Sequence, residues 1–348
     1  DEVVELDKRS GFYLQSTVNR ISTFTGITVG IVAIVLNVIN LVVLKHQKTL
    51  SPYVYLKWIA VCDLLTGAAI IWFAVCTYTD FLQHSPAIRL LAYWTLVPSY
   101  FLRSTFANGT AHLVVALGLD RVIAVRYPMK RALWCTAKKA HMASAILVAA
   151  GIIPNFHIFF RITMIYFPDP KNGLMIPRLQ FTKEGNDPAV SMAVSYMKFL
   201  VKQLIPLVMM IATSFLTISE IVKSQKFRKK SNTLKANKKM QCLGVTVGVI
   251  VIFVITNTPF AVYSFLLTVN KSAYGAKGVA AIALALAEFI PWSNCFLNFF
   301  VYIFFNVTFR QEAIRIFFCR NKAVASPHTI HTNVTELSSI ENKITATN

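Results

Sequence analysis

Seven long apolar stretches divide this chain and limit what it can fold into. They cover about residues 24–44, 54–78, 94–125, 142–160, 192–222, 242–269 and 279–304. Each approaches or exceeds the roughly 20 residues that a helix needs to cross a bilayer. Lipid offers no hydrogen bonds to the backbone, so a crossing segment has to be helical or part of a closed barrel. The sequence therefore predicts an all-α membrane protein, built as a seven-transmembrane helix bundle.

Positive charge is concentrated on alternate connections between these stretches. Segments 45–57, 126–141 and 223–240 carry many Lys and Arg residues and no carboxylate. This is the positive-inside pattern of membrane proteins, so we expect the N-terminus to lie outside and the C-terminus in the cytosol. Basic loops beside membrane spans are attracted to anionic lipid headgroups. The formal net charge of +20 is thus expected without a nucleic acid partner.

The sequence divides into four predicted regions. They are an extracellular segment (1–22), the seven-transmembrane bundle (23–306), an amphipathic membrane-surface helix (307–320) and a disordered cytosolic tail (321–348). The chain begins at Asp1, and no cleavable signal peptide is visible. Of the six cysteines, only Cys76 is expected near the outer face. We therefore predict no extracellular disulfide within the chain.

Polar residues inside the apolar stretches predict a buried polar site. Asp63 is flanked by apolar residues, and a charge near mid-membrane costs about 2.5 to 3.5 kcal/mol on insertion scales. It therefore needs partners, and Asn37 lies at comparable depth. Oxygen ligands suit a small hard cation, with sodium as the candidate, or a water cluster, and the candidate site is Asp63, Thr110, Asn294 and Asn298. A polar knot that only fixes helix packing is equally open, and no cofactor is required.

Asp120 and Arg121 stand at the end of the third stretch, where the apolar phase begins. A carboxylate and a guanidinium neutralise each other there, yet Arg stays charged and can change partner when helices move. The pair therefore predicts a switch, with a simple helix end as the alternative. Pro259 predicts a kink or hinge in the sixth stretch, and Pro154 and Pro206 predict kinks in the fourth and fifth.

Charged and aromatic residues at the outer level predict a ligand pocket. Arg103 lies roughly 27 Å from Arg121 along the third helix. Convergent charges in an apolar cavity are typical of ligand sites, and the candidates are Arg103, Glu288, Lys202, Phe260, Tyr263 and Trp292. The alternative for Arg103 is a structural ion pair with Glu288. Lys198 is expected to extend to the lipid headgroups.

This polar set, in this order and at these spacings, resembles the rhodopsin-like family of G protein-coupled receptors over about residues 24–319. The matching positions are Asn37, Asp63, Asp120, Arg121, Pro206, Pro259, Asn298 and Tyr302. The resemblance implies that an extracellular ligand activates a heterotrimeric G protein through movement of the sixth span. It implies activation-switch roles for Asp120, Arg121, Asn257, Pro259, Asn298 and Tyr302, and G protein contacts at Arg121, Pro128 and Met129. Arrestin and receptor kinases are further implied partners.

The run from Arg121 to Phe160 is similar to invertebrate FMRFamide-type neuropeptide receptors, so a neuropeptide is the expected ligand. Segment 161–190 then forms a lid, hairpin-like around residues 179–182. Leu96 stands where most relatives carry the cysteine of an extracellular disulfide, from which a more mobile lid is expected. Lys239 stands where some relatives carry an acid, which leaves Asp120 as the obvious partner of Arg121.

Other interpretations stay open. A chemosensory receptor for a small molecule would share this fold, and an ion transporter or channel is a remote alternative, although no repeated halves are visible. An enzyme is not expected, because the chain has no phosphate loop, metal-binding histidine pair or serine elbow. Cys319 is a candidate for lipidation after the amphipathic helix. Asn270 is a candidate for glycosylation in a sequon with Ser272.

Overall fold

The computed structural model describes residues 2–47, 50–169, 173–228, 234–269 and 279–317, and the side chains of most of these from residue 20 onward. The first three spans are single long helices, Glu2–Lys45, Ser51–Thr77 and Pro86–Arg126. Short helices Thr79–His84 and Pro128–Trp134 follow the second and third spans. The first helix thus begins well before the predicted bundle boundary at residue 23.

The fourth and fifth spans change helix type beside prolines. The fourth consists of helix Ala137–Ala150, a 3-10 turn Ile153–Asn155 and helix Ile158–Arg161. The fifth consists of helix Pro188–Met197, a π-helix Lys198–Leu204 and helix Ile205–Arg228. Proline lacks an N–H, and its ring clashes with the carbonyl four residues earlier. The kinks predicted at Pro154 and Pro206 therefore take the form of a 3-10 turn and a π segment.

The last two spans are helices Leu234–Val269, which stays helical through Pro259, and Val279–Phe305. The amphipathic helix Val307–Phe317 follows after a bend of 100°. Among the described residues, five helical runs are long and apolar enough to cross a membrane, and the bent pair Phe289–Phe305 with Val307–Phe317 adds a sixth. Val247–Tyr263 in the sixth span is a shorter apolar helix. The predicted all-α membrane bundle and its amphipathic helix are confirmed.

An antiparallel hairpin connects the fourth and fifth spans. Strand β1, Ile162–Pro168, pairs with strand β2, Met175–Phe181, so that Ile162 faces Phe181 and Pro168 faces Met175. The hairpin predicted around residues 179–182 is present, although Thr182 lies just beyond β2. We call this side of the bundle the hairpin end and the opposite side the Arg121 end.

Apolar packing anchors the hairpin to the second and third spans. Leu96 and Ile176, each 1% exposed, belong to one buried cluster with Cys76, Leu82 and Ala92. Tyr166 of β1 stacks on Tyr93 with ring centroids 4.9 Å apart. The side chain of Gln83 also donates to Asp169 after β1. Leu96, where the sequence resemblance led us to expect a more mobile lid, therefore contributes to an apolar anchor of the hairpin.

The main apolar core occupies the Arg121 half of the bundle and includes residues from all seven spans and the amphipathic helix. Large side chains buried within it are Leu44, Ile59, Leu113, Leu117, Met210, Ile250, Tyr302 and Phe309. The first two spans approach closely at Gly30, where an added Cβ would lie 2.8 Å from the backbone oxygen of Gly67. Such close contacts between small residues are typical of membrane helix packing.

Candidate functional site

A cavity of about 420 Å³ lies between the apolar cluster at the hairpin end and the main core. Along the third span, Leu96 belongs to the hairpin cluster, residues from Tyr100 to Ala111 line the cavity, and Leu113 belongs to the core. The second, fifth, sixth and seventh spans supply the other walls. This volume lies within the usual range for small-molecule sites.

Three aromatic rings hold Arg103 at the hairpin end of the cavity. Its guanidinium carbon lies 4.5 Å from the ring centroid of Phe73, 5.1 Å from that of Tyr100 and 5.2 Å from that of Trp292. The Nη1 atom is buried and finds no acceptor among the described residues. The rings therefore fix the position of a permanently charged donor.

Two lysines of the fifth span enter the same cavity. Lys198 and Lys202 lie four residues apart on the π segment, and both line the cavity wall. The prediction that Lys198 extends to the headgroups is therefore wrong. It failed because the rotation of the fifth span about its axis depends on its neighbours and on the π segment before Pro206. Lys202 donates to Oδ1 of the buried Asn155 in the fourth span.

The deep end of the cavity is a buried polar knot around Asp63, which is 1% exposed. Thr110 donates to its Oδ1 atom at 2.8 Å, and Asn298 donates to its Oδ2 atom at 2.9 Å. The Oδ1 atoms of Asn294 and Asn298 are buried and accept no hydrogen bond from the residues that the structure describes. Asn37 does not join Asp63. It donates instead to the backbone oxygen of Cys295 at 2.6 Å and so ties the first span to the seventh.

The structure links the fifth and sixth spans beside the cavity. Gln203 donates to the backbone oxygen of Asn257 at 3.0 Å, and both residues line the cavity. The Asn257 side chain donates to the backbone oxygen of Phe253 at 2.9 Å. Asn257 lies two residues before Pro259, within the segment where the sixth span lacks a backbone donor.

Asp120 and Arg121 form a buried ion pair at the Arg121 end. Arg121 Nη2 lies 2.9 Å from Asp120 Oδ2, and their side chains are only 6% and 5% exposed. Arg121 also has contacts beyond Asp120. Pro128 and Met129 begin the short helix that follows, and Met129 is 90% exposed. This end therefore combines a buried charged pair with an accessible loop.

Cys135 lies in the loop beside this ion pair. Its Sγ atom contacts the backbone oxygen of Asp120 at 3.9 Å. Burial, together with the nearby negative charge of Asp120, raises the pKa of the Cys135 thiol to about 11. The thiol therefore stays protonated at neutral pH, which makes it a weak nucleophile.

The seventh span meets the amphipathic helix through Tyr302 and Asn306. The Tyr302 ring packs on Phe309 with centroids 5.5 Å apart, and both residues are fully buried. Asn306 Oδ1 accepts a hydrogen bond from the backbone N–H of Phe309 at 3.0 Å and caps the helix. Sequence reasoning missed this cap, although an Asn directly before an amphipathic run is its usual signal.

The ligand candidates predicted from the sequence are only partly brought together. Arg103, Lys202, Phe260 and Trp292 line the cavity. Tyr263, one turn beyond Phe260, is not among the lining residues and is itself buried. The side chain of Glu288 lies outside the described part of the structure, as do Asn270 and Cys319. Cavity residues missed by sequence reasoning include Asn108, Ser191, Ser195, Phe199 and Gln203.

A family comparison accounts for this arrangement. Residues 35–302 match the family described as 7 transmembrane receptor (rhodopsin family). The chain belongs to this family. The matched region covers well over half of the chain and includes Asn37, Asp63, Arg121 and Tyr302, so the predicted resemblance is confirmed. Members of the family are receptors rather than enzymes, and the chain is a multi-pass membrane protein.

One curated relative is an FMRFamide receptor of Drosophila melanogaster. It is 20% identical over 307 residues, which cover 87% of this chain and 55% of the fly protein. The chain thus spans about half the length of this relative. The similarity predicted from the run between Arg121 and Phe160 is confirmed at this level.

Proposed function

We propose that this chain is a cell-surface receptor that binds an extracellular ligand in the cavity and activates a heterotrimeric G protein at the Arg121 end. One observation carries the proposal: the cavity extends from the charged residues near the hairpin to the polar knot at Asp63. Asn298 of that knot lies one turn before Tyr302, which packs on the amphipathic helix. Basic connections at the Arg121 end support a cytosolic position for it.

Activation would proceed through the sixth span and the buried ion pair. A ligand that contacts Asn257 or Gln203 changes the link between the fifth and sixth spans, and Pro259 provides the pivot. Arg121 then leaves Asp120 and meets the G protein beside Pro128 and Met129. A ligand drives this change only if it binds the active arrangement more tightly than the resting one.

The test uses Arg121→Ala and an agonist found with the parent receptor. We expect normal surface expression and loss of agonist-stimulated nucleotide exchange on the G protein. Arg126→Ala is a matched control, because Arg126 is an exposed cation at the end of the same helix. Full signalling by Arg121→Ala, at equal surface expression, would contradict the proposed switch.

A neuropeptide related to FMRFamide is the first ligand class we propose, supported by the similarity to the fly receptor. A small-molecule chemosensory role is the second, supported by a cavity of about 420 Å³ lined by aromatic rings. A panel of amidated peptides and small molecules, assayed for second-messenger responses, separates the two classes. Kinases and arrestin acting on the C-terminal tail remain proposed partners.

We also propose that the polar knot holds a sodium ion. The donor set fits, because Asp63 supplies a carboxylate and the buried Oδ1 atoms of Asn294 and Asn298 accept no hydrogen bond from the described residues. Sodium would then favour the resting arrangement by binding between these spans. The test compares the thermal unfolding midpoint in sodium and in choline chloride, and Asp63→Asn should remove the difference.

A further inference from the structure

Among the residues whose side chains the structure describes, the cavity lining carries an excess of positive charge. Arg103, Lys198 and Lys202 line the part near the hairpin, and Asp63 is the single carboxylate in the described part of the lining. Asp63 lies at the deep end, where Thr110 donates to one of its oxygens and Asn298 to the other. A ligand that enters from the hairpin end therefore meets positive charge first.

Buried donors in this part of the cavity lack acceptors. Arg103 Nη1 and Asn108 Nδ2 are buried, and neither has an acceptor within the described part of the chain. A buried donor without an acceptor is destabilising, and more so when the donor is charged. A ligand that supplies an anionic acceptor removes this cost and forms the stronger, charge-assisted type of hydrogen bond.

The fifth span carries both lysines into the cavity, and a hydrogen bond holds one of them, Lys202, in place. They stand on a seven-residue π segment, a helix type that is rare and occurs often at functional sites. Asn155, fully buried in the fourth span, accepts from Lys202 and holds its ammonium group in the cavity. The aromatic rings around Arg103 do the same for its guanidinium. Both cationic groups are thus preorganised to receive an acceptor.

Aromatic surfaces form the rest of the cavity wall near these charges. Tyr100, Phe199, Phe260 and Trp292 line it. An apolar wall with a few convergent charges favours a ligand with an apolar body and one charged group. A cationic group on the ligand would instead be repelled by the positive charges of the lining.

We propose that the ligand of this receptor carries a carboxylate, which binds between Arg103 and the Lys198–Lys202 pair while its apolar part packs on the aromatic wall. The proposal rests on the receptor function proposed above and names the chemistry of its ligand. The carboxylate belongs either to a small organic acid or to a peptide with a free C-terminal carboxylate. An amidated peptide with an arginine near its end has the opposite charge, so this proposal narrows the neuropeptide class proposed above to peptides with a free C-terminal carboxylate.

The first experiment compares acids with their own amides. Purified receptor in nanodiscs is mixed with 3-phenylpropionate, indole-3-acetate or decanoate, and separately with the primary amide of each. The peptide Phe-Met-Arg-Phe with a free carboxylate is compared in the same way with its amide. We expect at least one acid to raise the thermal unfolding midpoint more than its amide does, and the arm in which this occurs identifies the source. If no acid exceeds its amide, the proposal is overturned.

The second experiment assigns the effect to the named residues. Arg103→Gln, Lys198→Gln and Lys202→Gln should each weaken binding of the acid about ten- to a hundredfold and leave its amide almost unchanged. Arg178→Gln is the matched control, because Arg178 is an exposed cation of β2 outside the cavity. Arg103→Lys keeps the charge, so it should retain more acid binding than Arg103→Gln, even if both lower the stability. Equal acid binding by the parent and all three Gln variants would overturn the proposal.

Glu288→Gln distinguishes a ligand site from an internal ion pair. If Glu288 neutralised Arg103, Glu288→Gln would strengthen binding of the acid. Arg103→Gln, made in the parent, would then not weaken it, and this outcome would refute the proposal.

Signalling separates this proposal from the receptor function. A cationic or neutral agonist whose response requires Arg121 would refute the carboxylate and keep the receptor. Acids that stabilise the protein without changing nucleotide exchange would support the carboxylate site and refute the proposed signalling.

Discussion

Replacing Asp120 with Asn should raise basal signalling, because it removes the negative partner of Arg121. The two side chains are 2.9 Å apart and almost fully buried. Removing one member of a buried ion pair costs about 3 to 5 kcal/mol, and Arg121 keeps other contacts, so we take the lower figure. In the proposed mechanism Arg121 has left Asp120 in the active arrangement. The cost of about 3 kcal/mol therefore falls on the resting arrangement alone.

A shift of about 3 kcal/mol changes an equilibrium roughly a hundredfold. A receptor with about one active molecule in a hundred would become about half active. The assay is ligand-free nucleotide exchange on purified G protein with the receptor in nanodiscs. Asp187→Asn is the control, because Asp187 is an exposed helix cap and Asn caps a helix equally well.

Asp120→Asn combined with Arg121→Ala should return basal exchange to the low level of Arg121→Ala alone. This double variant shows that the extra activity passes through Arg121. Basal exchange that is the same for Asp120→Asn and the parent, at equal stability, would refute the reasoning. The ion pair would then stabilise the helix end without restraining the resting arrangement.

Three further predictions concern packing and reactivity. Ile176→Ala should lower the free energy of unfolding by about 2 kcal/mol and speed hydrogen exchange in the hairpin. Met175→Ala, at an exposed position, should do neither, and equal effects of the two substitutions would exclude the apolar anchor. Gly30→Ala should destabilise the protein by about 1 to 3 kcal/mol, because the added Cβ would lie 2.4 Å from Ile71 Cγ1 and close to a backbone oxygen. Gly26→Ala, whose added Cβ would have its nearest neighbours at 3.5 Å, should be tolerated. Equal unfolding midpoints for the two variants would contradict this prediction. Labelling of Cys135 by a maleimide, measured by mass spectrometry, should be slow at pH 7.5, and its rate should rise about tenfold per pH unit towards pH 11. The reason is that the pKa of the thiol is raised and the thiolate is the reacting form. A labelling rate at pH 7.5 equal to that of free cysteine would contradict the raised pKa.

The architecture was predictable from the sequence because its causes are local. A stretch of about 20 apolar residues has to become a helix in lipid, so the bundle follows from the hydropathy pattern. A carboxylate at the depth of Asp63 needs partners, and the few polar residues at the same depth are the only ones that can reach it. Thr110 and Asn298 were therefore predictable as its neighbours. The prolines of the fourth and fifth spans likewise marked the places where the helix type changes.

The arrangement of the ligand cavity was decided by tertiary packing. The sequence shows Lys198 on an apolar helix, but its direction depends on the rotation of that helix against its neighbours and on the π segment before Pro206. Lipid and neighbouring helices are both apolar, so hydropathy hardly distinguishes the two faces of a membrane helix. For the same reason the sequence did not reveal that Leu96 packs with Ile176 to anchor the hairpin. The number and depth of the spans follow from the sequence alone, whereas the residues that face one another across the bundle follow from how the helices pack.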